Sequence, residues 1–420
     1  MKTKLRTGIA VILIGLLPHF MSAGNISKKN ENVRLGISRV NITPLKPAMM
    51  SGYANRETPS EGVHDSIYAS AFYFLGEDTE SLLIIADIIG FSFGFTDELR
   101  SSISAKTGII EQNILLVAAH NHGGPSIGNY EPVKEYTAEL KNKLINLAAD
   151  ALTNPVPVRM GAGKGYCSLN INRRAEFSKG EVWLGRNQDA PCDHELSVIK
   201  FENMEQKTLA VLINWPCHGT VTGDSNYQIT GDWLGAAAGY IRARMGEDVV
   251  VGVTAGASGD INPIYGPGNV FSEVEAVGYH VGDEALKVIG QMVTYPVTTL
   301  QSTETMLTFP GKKGSPNHFP QNSYEPGPDT QIRISALKIG SVVLAGISGE
   351  VFNEIGMEIK KQSPFSQTVI LTHCNGSSGY ICTDSSFPKG GYEVKVTKLM
   401  PGAEKPLIRK YIDLIQSFEY

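Results

Sequence analysis

The chain has 420 residues, 42% of them hydrophobic and 19% charged, a composition that supports a large globular core. Its formal net charge is -5, from 37 Lys and Arg against 42 Asp and Glu. With no basic run in the sequence, nucleic acid is excluded as a partner, since binding it requires a basic patch. The five cysteines (Cys167, Cys192, Cys217, Cys374 and Cys382) contain no C-x-x-C pair. That excludes the disulfide framework of small secreted domains, leaves room for one bridge in an oxidising compartment, and suits buried thiols acting as small hydrophobes.

At the N-terminus, Lys2, Lys4 and Arg6 precede an apolar stretch from Gly8 to Phe20, and Met21-Ser22-Ala23-Gly24 comes next with small residues. This is the pattern of a secretory signal peptide over 1–23, cleaved near Ala23. The stretch is shorter than the roughly 20 apolar residues that span a bilayer. The mature chain, 24–420, is therefore expected to be secreted or periplasmic. Further along, short β-branched runs predict strands over 34–42, 66–75, 81–86, 114–119, 196–201, 209–215, 249–253, 332–339, 342–345 and 368–371. Helical patterns cover 96–106, 133–151, 233–245, 272–291, 351–361 and 405–418. Ser168–Cys192 is polar without apolar periodicity, and Gly311–Thr330 is rich in Pro, Gly and Asn, so both read as loops. The alternation predicts an α/β fold: a mixed β-sheet core with flanking helices in a single domain.

The polar residues that close the apolar strands are the informative ones. Asp87 follows 81–86, and His120 and His122 follow 114–119. His218 closes the run ending at Cys217, and Asp260 follows Val249–Val253 and a turn. Glu350 follows Val342–Gly346 and opens a helix, and His373 follows Val369–Thr372. Each alone reads as a cap or a hydrogen-bonded core group, because ionisable side chains are rare in interiors. Together they define one candidate site, because ligands of α/β sheets bind outside the carboxyl ends of strands. His120 and His122 are two residues apart on an extended segment and so face the same way. Gly123-Gly124-Pro125 permits close backbone approach. With His218 and Glu350 from distant sequence, an imidazole and carboxylate set suited to catalytic zinc is available. Zinc lowers the pKa of bound water to roughly 7 and polarises a carbonyl. The phosphate loop G-x-x-x-x-G-K-[ST] and the serine-hydrolase elbow G-x-S-x-G are both absent.

Several short motifs occur in order along nearly the whole mature chain. They are Gly36-Ile37-Ser38-Arg39-Val40-Asn41-Ile42-Thr43-Pro44, Met50-Ser51-Gly52-Tyr53-Ala54, His64-Asp65 with Tyr68-Ala69, Asp87, and His120-Asn121-His122-Gly123-Gly124-Pro125. Asn172-Arg173, Asn214-Trp215 with His218-Gly219-Thr220, Gly259-Asp260, Gly349-Glu350 and Gly379-Tyr380 continue the series. In these motifs the chain resembles the neutral/alkaline, non-lysosomal ceramidases. The resemblance implies a catalytic domain over 24–420, without the family's immunoglobulin-like C-terminal domain. It implies one Zn2+ per chain on His120, His218, Glu350 and Tyr380, and a scissile amide contacted by His122, Arg173 and Tyr392. The family's Gly-Asp-Val-Ser-Pro segment, whose Ser has been assigned a catalytic role, appears here as Gly259-Asp260-Ile261-Asn262-Pro263. Asn262 cannot form an acyl-serine, whereas direct attack by zinc-activated water survives the change. His373 stands where the family pattern has no His.

The leading expectation is a secreted zinc amidohydrolase that cleaves the N-acyl amide of ceramide or a ceramide-like lipid. In it, His122 moves protons, Arg173 and Tyr392 orient the substrate, and Asn262 is a candidate donor to the oxyanion. One alternative is another N-acyl or ester substrate, for example an N-acylated amino sugar. A second is a non-catalytic binding protein on the same scaffold. Partners are then an N-acylated small molecule or lipid, with peripheral membrane contact and no nucleic acid.

Overall fold

The computed structural model describes Met1 and residues 32–177, 180–315, 319, 321 and 323–418. Apart from Met1, the expected signal peptide lies outside the described residues. In chain order the main strands are β1 (Arg34–Asn41), β2 (Tyr68–Leu75), β3 (Glu80–Ala86), β4 (Ile114–Ala118), β5 (Val156–Tyr166), β6 (Asn170–Glu176), β7 (Val182–Asn187), β8 (Glu195–Asn203) and β9 (Thr208–Trp215). They continue with β10 (Val250–Ala255), β11 (Ile261–Pro263), β12 (Leu300–Lys312), β13 (Pro326–Ile339), β14 (Val342–Ile347), β15 (Glu350–Val351), β16 (Gln367–Leu371) and β17 (Tyr380–Ile381). The helices are α1 (Phe93–Thr107), α2 (Lys134–Ala151), α3 (Asp232–Met245), α4 (Phe271–Gln291), α5 (Asn353–Gln362), α6 (Tyr392–Val396) and α7 (Glu404–Gln416).

A large mixed sheet runs in the order β10-β9-β8-β5-β1-β2-β3-β4, and a second runs β12-β13-β14-β16. Alternation along each strand explains how they stack. In the large sheet, Phe72, Phe74, Leu83, Ile85, Leu115 and Val117 face a shared core with Leu337, Leu344, Val369 and Leu371 of the second sheet. The opposite residues, such as Ala71, Tyr73, Leu82, Ile84 and Leu116, pack on α1 and α2 through Leu99, Ile103, Leu140 and Leu144. On the far side of the second sheet, Ile334, Ala336, Val343 and Ile370 pack on α5 and α7 through Ile355, Ile359, Leu407 and Tyr411. Two sheets thus face each other, with helices outside both. The helix α1 illustrates local encoding: the Ser92 hydroxyl accepts the Phe95 N–H at its start, and Gly108 ends it at φ 85°, where glycine carries no steric penalty.

Three sequence expectations are corrected. The segment 168–192 is not a loop but carries the hairpin β6–β7. Residues 170–175 are buried on both faces of the strand, and four of the six are the polar Asn170, Asn172, Arg173 and Arg174, so there is no apolar period to read. The ends of 311–330 belong to strands, β12 running to Lys312 and β13 starting at Pro326. Glu350 lies in the short strand β15, and the helix begins only at Asn353. The five cysteines are all free thiols. Among the described residues no helix is long and apolar enough to cross a membrane.

Phe72 is fully buried where the sheets meet. Phe72→Ala is expected to cost about 3–5 kcal/mol, read as a lower denaturation midpoint at unchanged m-value. A loss below about 1 kcal/mol would show that this packing does not hold the sheets together.

Candidate metal centre

Three parallel strand pairs build the site: β3 with β4, β9 with β10, and β14 with β16. Parallel neighbours end on the same side, so each pair delivers its succeeding segments to one place. The β3–β4 pair leads to His120 and His122, and β9–β10 to His218 and the Asp260–Asn262 segment. The β14–β16 pair leads to Glu350 and His373. Backbone bonds tie the three ends together: Ala118 N–H to His373 O at 3.3 Å, Asn375 N–H to Leu116 O at 2.8 Å, His218 N–H to Ile261 O at 3.1 Å, and a bridge between Asn121 and Gly219.

His120 donates its Nδ1–H to Ile89 O at 2.8 Å, and His218 donates its own to Ile261 O at 3.0 Å. Those bonds assign the tautomers and leave both Nε2 lone pairs pointing inward. Glu350 Oε2 lies 3.2 Å from His218 Nε2 and 3.5 Å from His120 Nε2. His122 Nε2 lies 3.3 Å from His120 Nε2. Burial pushes His218 down to about 4, with Arg173 and His120 adding to it. Burial opposes the charge on Glu350, yet the neighbouring His120 and His218 hold its carboxyl well below the usual range. With both Nδ1–H groups committed to backbone carbonyls, His120 Nε2, His218 Nε2 and the Glu350 carboxylate turn toward one place, an arrangement that a cation completes. His120, His122 and His218 offer ligand atoms within 4.8 Å of one another, and so do His120, Glu350 and His373. The chemistry and spacing of this donor set fit a metal ion.

His122 is held from outside the cluster. The Arg56 guanidinium, itself buried, donates to His122 O at 2.6 Å and to Ser51 O at 2.7 Å. The Tyr53 ring stands edge-on at 5.4 Å. At Gly52, with φ 100°, an added Cβ would come within 2.5 Å of the His122 ring, so only glycine fits there. Asn121 points away and binds Gly123 N–H and Thr230 O, locking the turn between the two histidines.

Arg173 lines the other wall. Its Nη1 is 3.2 Å from His218 Nε2 and 3.3 Å from Asn262 Oδ1, and its Nη2 donates to the Tyr380 hydroxyl at 3.0 Å. Its Nε donates to Glu393 Oε1 at 2.8 Å, while Arg174 Nη1 donates to Glu393 Oε2 at 2.7 Å. A register shift between Asn172 and Arg174 in the β6–β7 pairing lets these adjacent arginines reach the same carboxylate. Tyr380 pairs with Glu350 across β15–β17, and the half-buried Tyr392 ring lies 5.8 Å from that of Tyr380.

All eight site residues predicted from sequence therefore meet here. Asp87 and Asp260 do not join the cluster. Asp87 accepts the Tyr68 N–H. Asp260 accepts Asn353 N–H and the Asn172 amide, and burial pushes its carboxyl up to about 6. Sequence reading missed Arg56 and Glu393. Glu393 had one signal, its place directly after Tyr392; Arg56 had none.

No family model matches the chain. The neutral ceramidase of Drosophila pseudoobscura pseudoobscura is 23% identical over 285 residues, 62% of this chain and 40% of that protein. The neutral ceramidase of Pseudomonas aeruginosa is 25% identical over 222 residues, 49% of this chain and 33% of its own length. The chain thus spans less than half the length of these curated relatives. The crystal structure of the Pseudomonas aeruginosa neutral ceramidase superposes with a TM-score of 0.76 at 16% identity, covering 92% of this chain and 74% of that one. A ceramidase solved in complex with C2 gives 0.77, covering 92% and 75%. Fold and site define a mixed α/β protein with a buried His/Glu cluster able to hold a metal ion. The chain is a relative of the neutral ceramidase family and shares its fold.

Glu393 is the shared acceptor of two buried guanidinium groups, and its side chain is 1% exposed. Glu393→Gln is expected to destabilise the protein by about 3–5 kcal/mol, because two buried cations lose their counter-charge. Chemical denaturation measures this, and a loss under about 1 kcal/mol would show that the arginines find other partners.

Proposed function

We propose that this chain is a zinc-dependent amidohydrolase with one ion per chain, cleaving the N-acyl amide bond of ceramide or a ceramide-like lipid. One observation carries the reading: Glu350 Oε2 lies within 3.5 Å of both His120 Nε2 and His218 Nε2, on two rings whose Nδ1–H groups are already committed to backbone carbonyls. The kinship with proteins named neutral ceramidases supports the amide substrate. By the sequence resemblance Tyr380 also belongs to the ligand set. Zinc bound there supplies a Lewis acid for the carbonyl and lowers the pKa of water to roughly 7.

The chain's own groups supply the rest. Burial, with His120 and His218 adding to it, holds His122 well below its ordinary pKa. Its ring is therefore neutral, and its Nδ1, without a partner among the described residues, is the atom through which a proton would pass from the attacking water to the leaving amine. Arg173 brings a fixed positive charge to the carbonyl side, and its bond to Glu393 fixes its direction. Tyr392, beside Tyr380, orients the substrate's polar head. Asn262 accepts from Arg173 through Oδ1, which leaves its amide N–H groups for a developing oxyanion. The N-terminal pattern over 1–23 supports export to the periplasm or medium, where a lipid substrate implies peripheral membrane contact.

A second reading keeps the chemistry and changes the substrate to another N-acyl or ester compound, such as an N-acylated amino sugar. Asn262, which stands where the family pattern has its Ser, favours it. Turnover of ceramide against short N-acyl amides, N-acylated amino sugars and esters separates the two. Metal uptake without turnover of any of them would identify a binding protein.

Protein purified without added metal is expected to carry about one zinc per chain by elemental analysis, and His218→Ala almost none. Unchanged zinc in that variant overturns the assignment. Asn262→Ala is expected to lower kcat by about 10²–10³-fold, the cost of one lost oxyanion donor, at unchanged zinc content. If Asn262 only shapes the turn before Pro263, the variant loses stability and keeps near-normal kcat.

A further inference from the structure

We propose that a small cavity between α3 and the large sheet is a chloride site, with the ion held between Arg39 and Arg242. The cavity lies against β1, β2, β3 and β10, and none of its lining residues belongs to the His/Glu cluster. Its volume is about 20 Å3, room for one water-sized guest. A monatomic anion fits that space, whereas phosphate, sulfate and carboxylic acids are too large. Small residues make the room: Gly235, Ala238 and Arg242 follow one another along one face of α3. Arg39, Tyr68 and Asp87 belong to motifs read in the sequence that the metal centre leaves unused.

Arg39 Nη1 and Arg242 Nε are both buried without a hydrogen-bond partner among the described residues. Both guanidinium groups rest on the Tyr68 ring, 4.9 and 5.5 Å from its centroid, which gathers two like charges at one cavity. Burial, and after it the Arg39 charge, holds Arg242 below its usual pKa. Opposite charge is near but does not pair them. Asp87 lines the cavity, its Oδ2 accepts the Tyr68 N–H at 2.8 Å, and burial pushes its carboxyl up to about 6. Glu247 Oε2 stands 3.8 Å from Arg242 Nε, but its side chain is 75% exposed, so water screens the attraction. A buried donor left unpaired costs free energy, and so does a buried charge without its counter-charge. A water molecule would accept both N–H groups and leave the repulsion between the arginines in place. Two guanidinium groups against the one carboxylate that lines the cavity leave one positive charge over. A chloride ion accepts both N–H groups and cancels that charge.

Two measurements test this. Crystals of the wild-type chain grown with bromide in place of chloride are expected to show an anomalous peak in this cavity, within hydrogen-bonding reach of Arg39 and Arg242. Urea denaturation is then followed while chloride replaces gluconate at constant ionic strength, gluconate being too large to enter. A ligand of the folded state stabilises it by mass action, so the folding equilibrium constant is expected to rise about tenfold for each tenfold increase in chloride above its Kd. Arg39→Gln, which keeps a polar side chain and removes the charge, is expected to abolish that dependence. The bromide peak is read on the wild type and does not depend on the variant folding. No peak at this place, or the same chloride dependence in Arg39→Gln as in wild type, overturns the proposal. A bromide peak without any chloride dependence of stability marks an adventitious ion only and overturns it as well. Neither readout involves zinc, so the outcome leaves the reading of the metal centre untouched.

Discussion

Glu350 Oε2 sits 3.2 Å from one imidazole nitrogen and 3.5 Å from another, and both imidazoles have already given their ring proton to a backbone carbonyl. Three acceptor atoms brought this close, with Arg173 donating to His218 Nε2 alone among them, are unfavourable on their own. The fold must therefore hold the three groups there by other means. Much of its architecture can be understood as the means: the ends of three parallel strand pairs, two facing sheets, and cross-sheet backbone bonds at Ala118, Leu116 and His373.

The rigidity comes from the layers around the cluster. The inter-sheet core fixes the distance between β4, which leads to His120, and β14 and β16, which lead to Glu350 and His373. Core packing at near-crystalline density transmits such constraints with little give. The left-handed backbone at His120 and His373 has a conformational cost, and the surrounding hydrogen bonds offset it. The same surroundings keep water from competing for the inward lone pairs, since His120, His218 and His373 are all nearly inaccessible.

How much of this was legible depended on which face of an element is apolar. Strands such as Tyr68–Leu75 and Ile114–Ala118 are buried on both faces and read directly as apolar runs. The His120-x-His122 spacing and the distant His218 and Glu350 were legible because each polar residue interrupts or closes such a run. The hairpin carrying Arg173 was not, because it buries Asn170, Asn172, Arg173 and Arg174 where a core strand usually buries hydrocarbon. Long strands with a half-exposed face, such as Leu300–Lys312, lacked a clean period as well. Glu393 and Arg56 are local to nothing they serve: one closes on residues 219 and 220 positions away in sequence, the other on the carbonyl of a residue 66 away. Contacts of that kind appear only once the chain is folded.

The balance of charges explains why a guanidinium can line a metal-binding cluster. Arg173 and Arg174 contribute two positive charges, and Glu393 and Glu350 two negative ones, so these four groups sum to zero while each has an opposite charge or a hydrogen-bonding partner beside it. A divalent cation added to this set leaves a surplus of two positive charges in a water-poor place. Such a surplus is relieved by negative charge arriving or developing next to it, as it does on a carbonyl oxygen under attack, and preorganised groups of this kind act with little further reorganisation. Glu393 thus has a consequence beyond anchoring. By neutralising Arg174 and half-committing Arg173 through Nε, it leaves the Nη atoms of Arg173 directed at His218, Asn262 and Tyr380. The positive charge is thereby directed at the space between the imidazoles and Asn262.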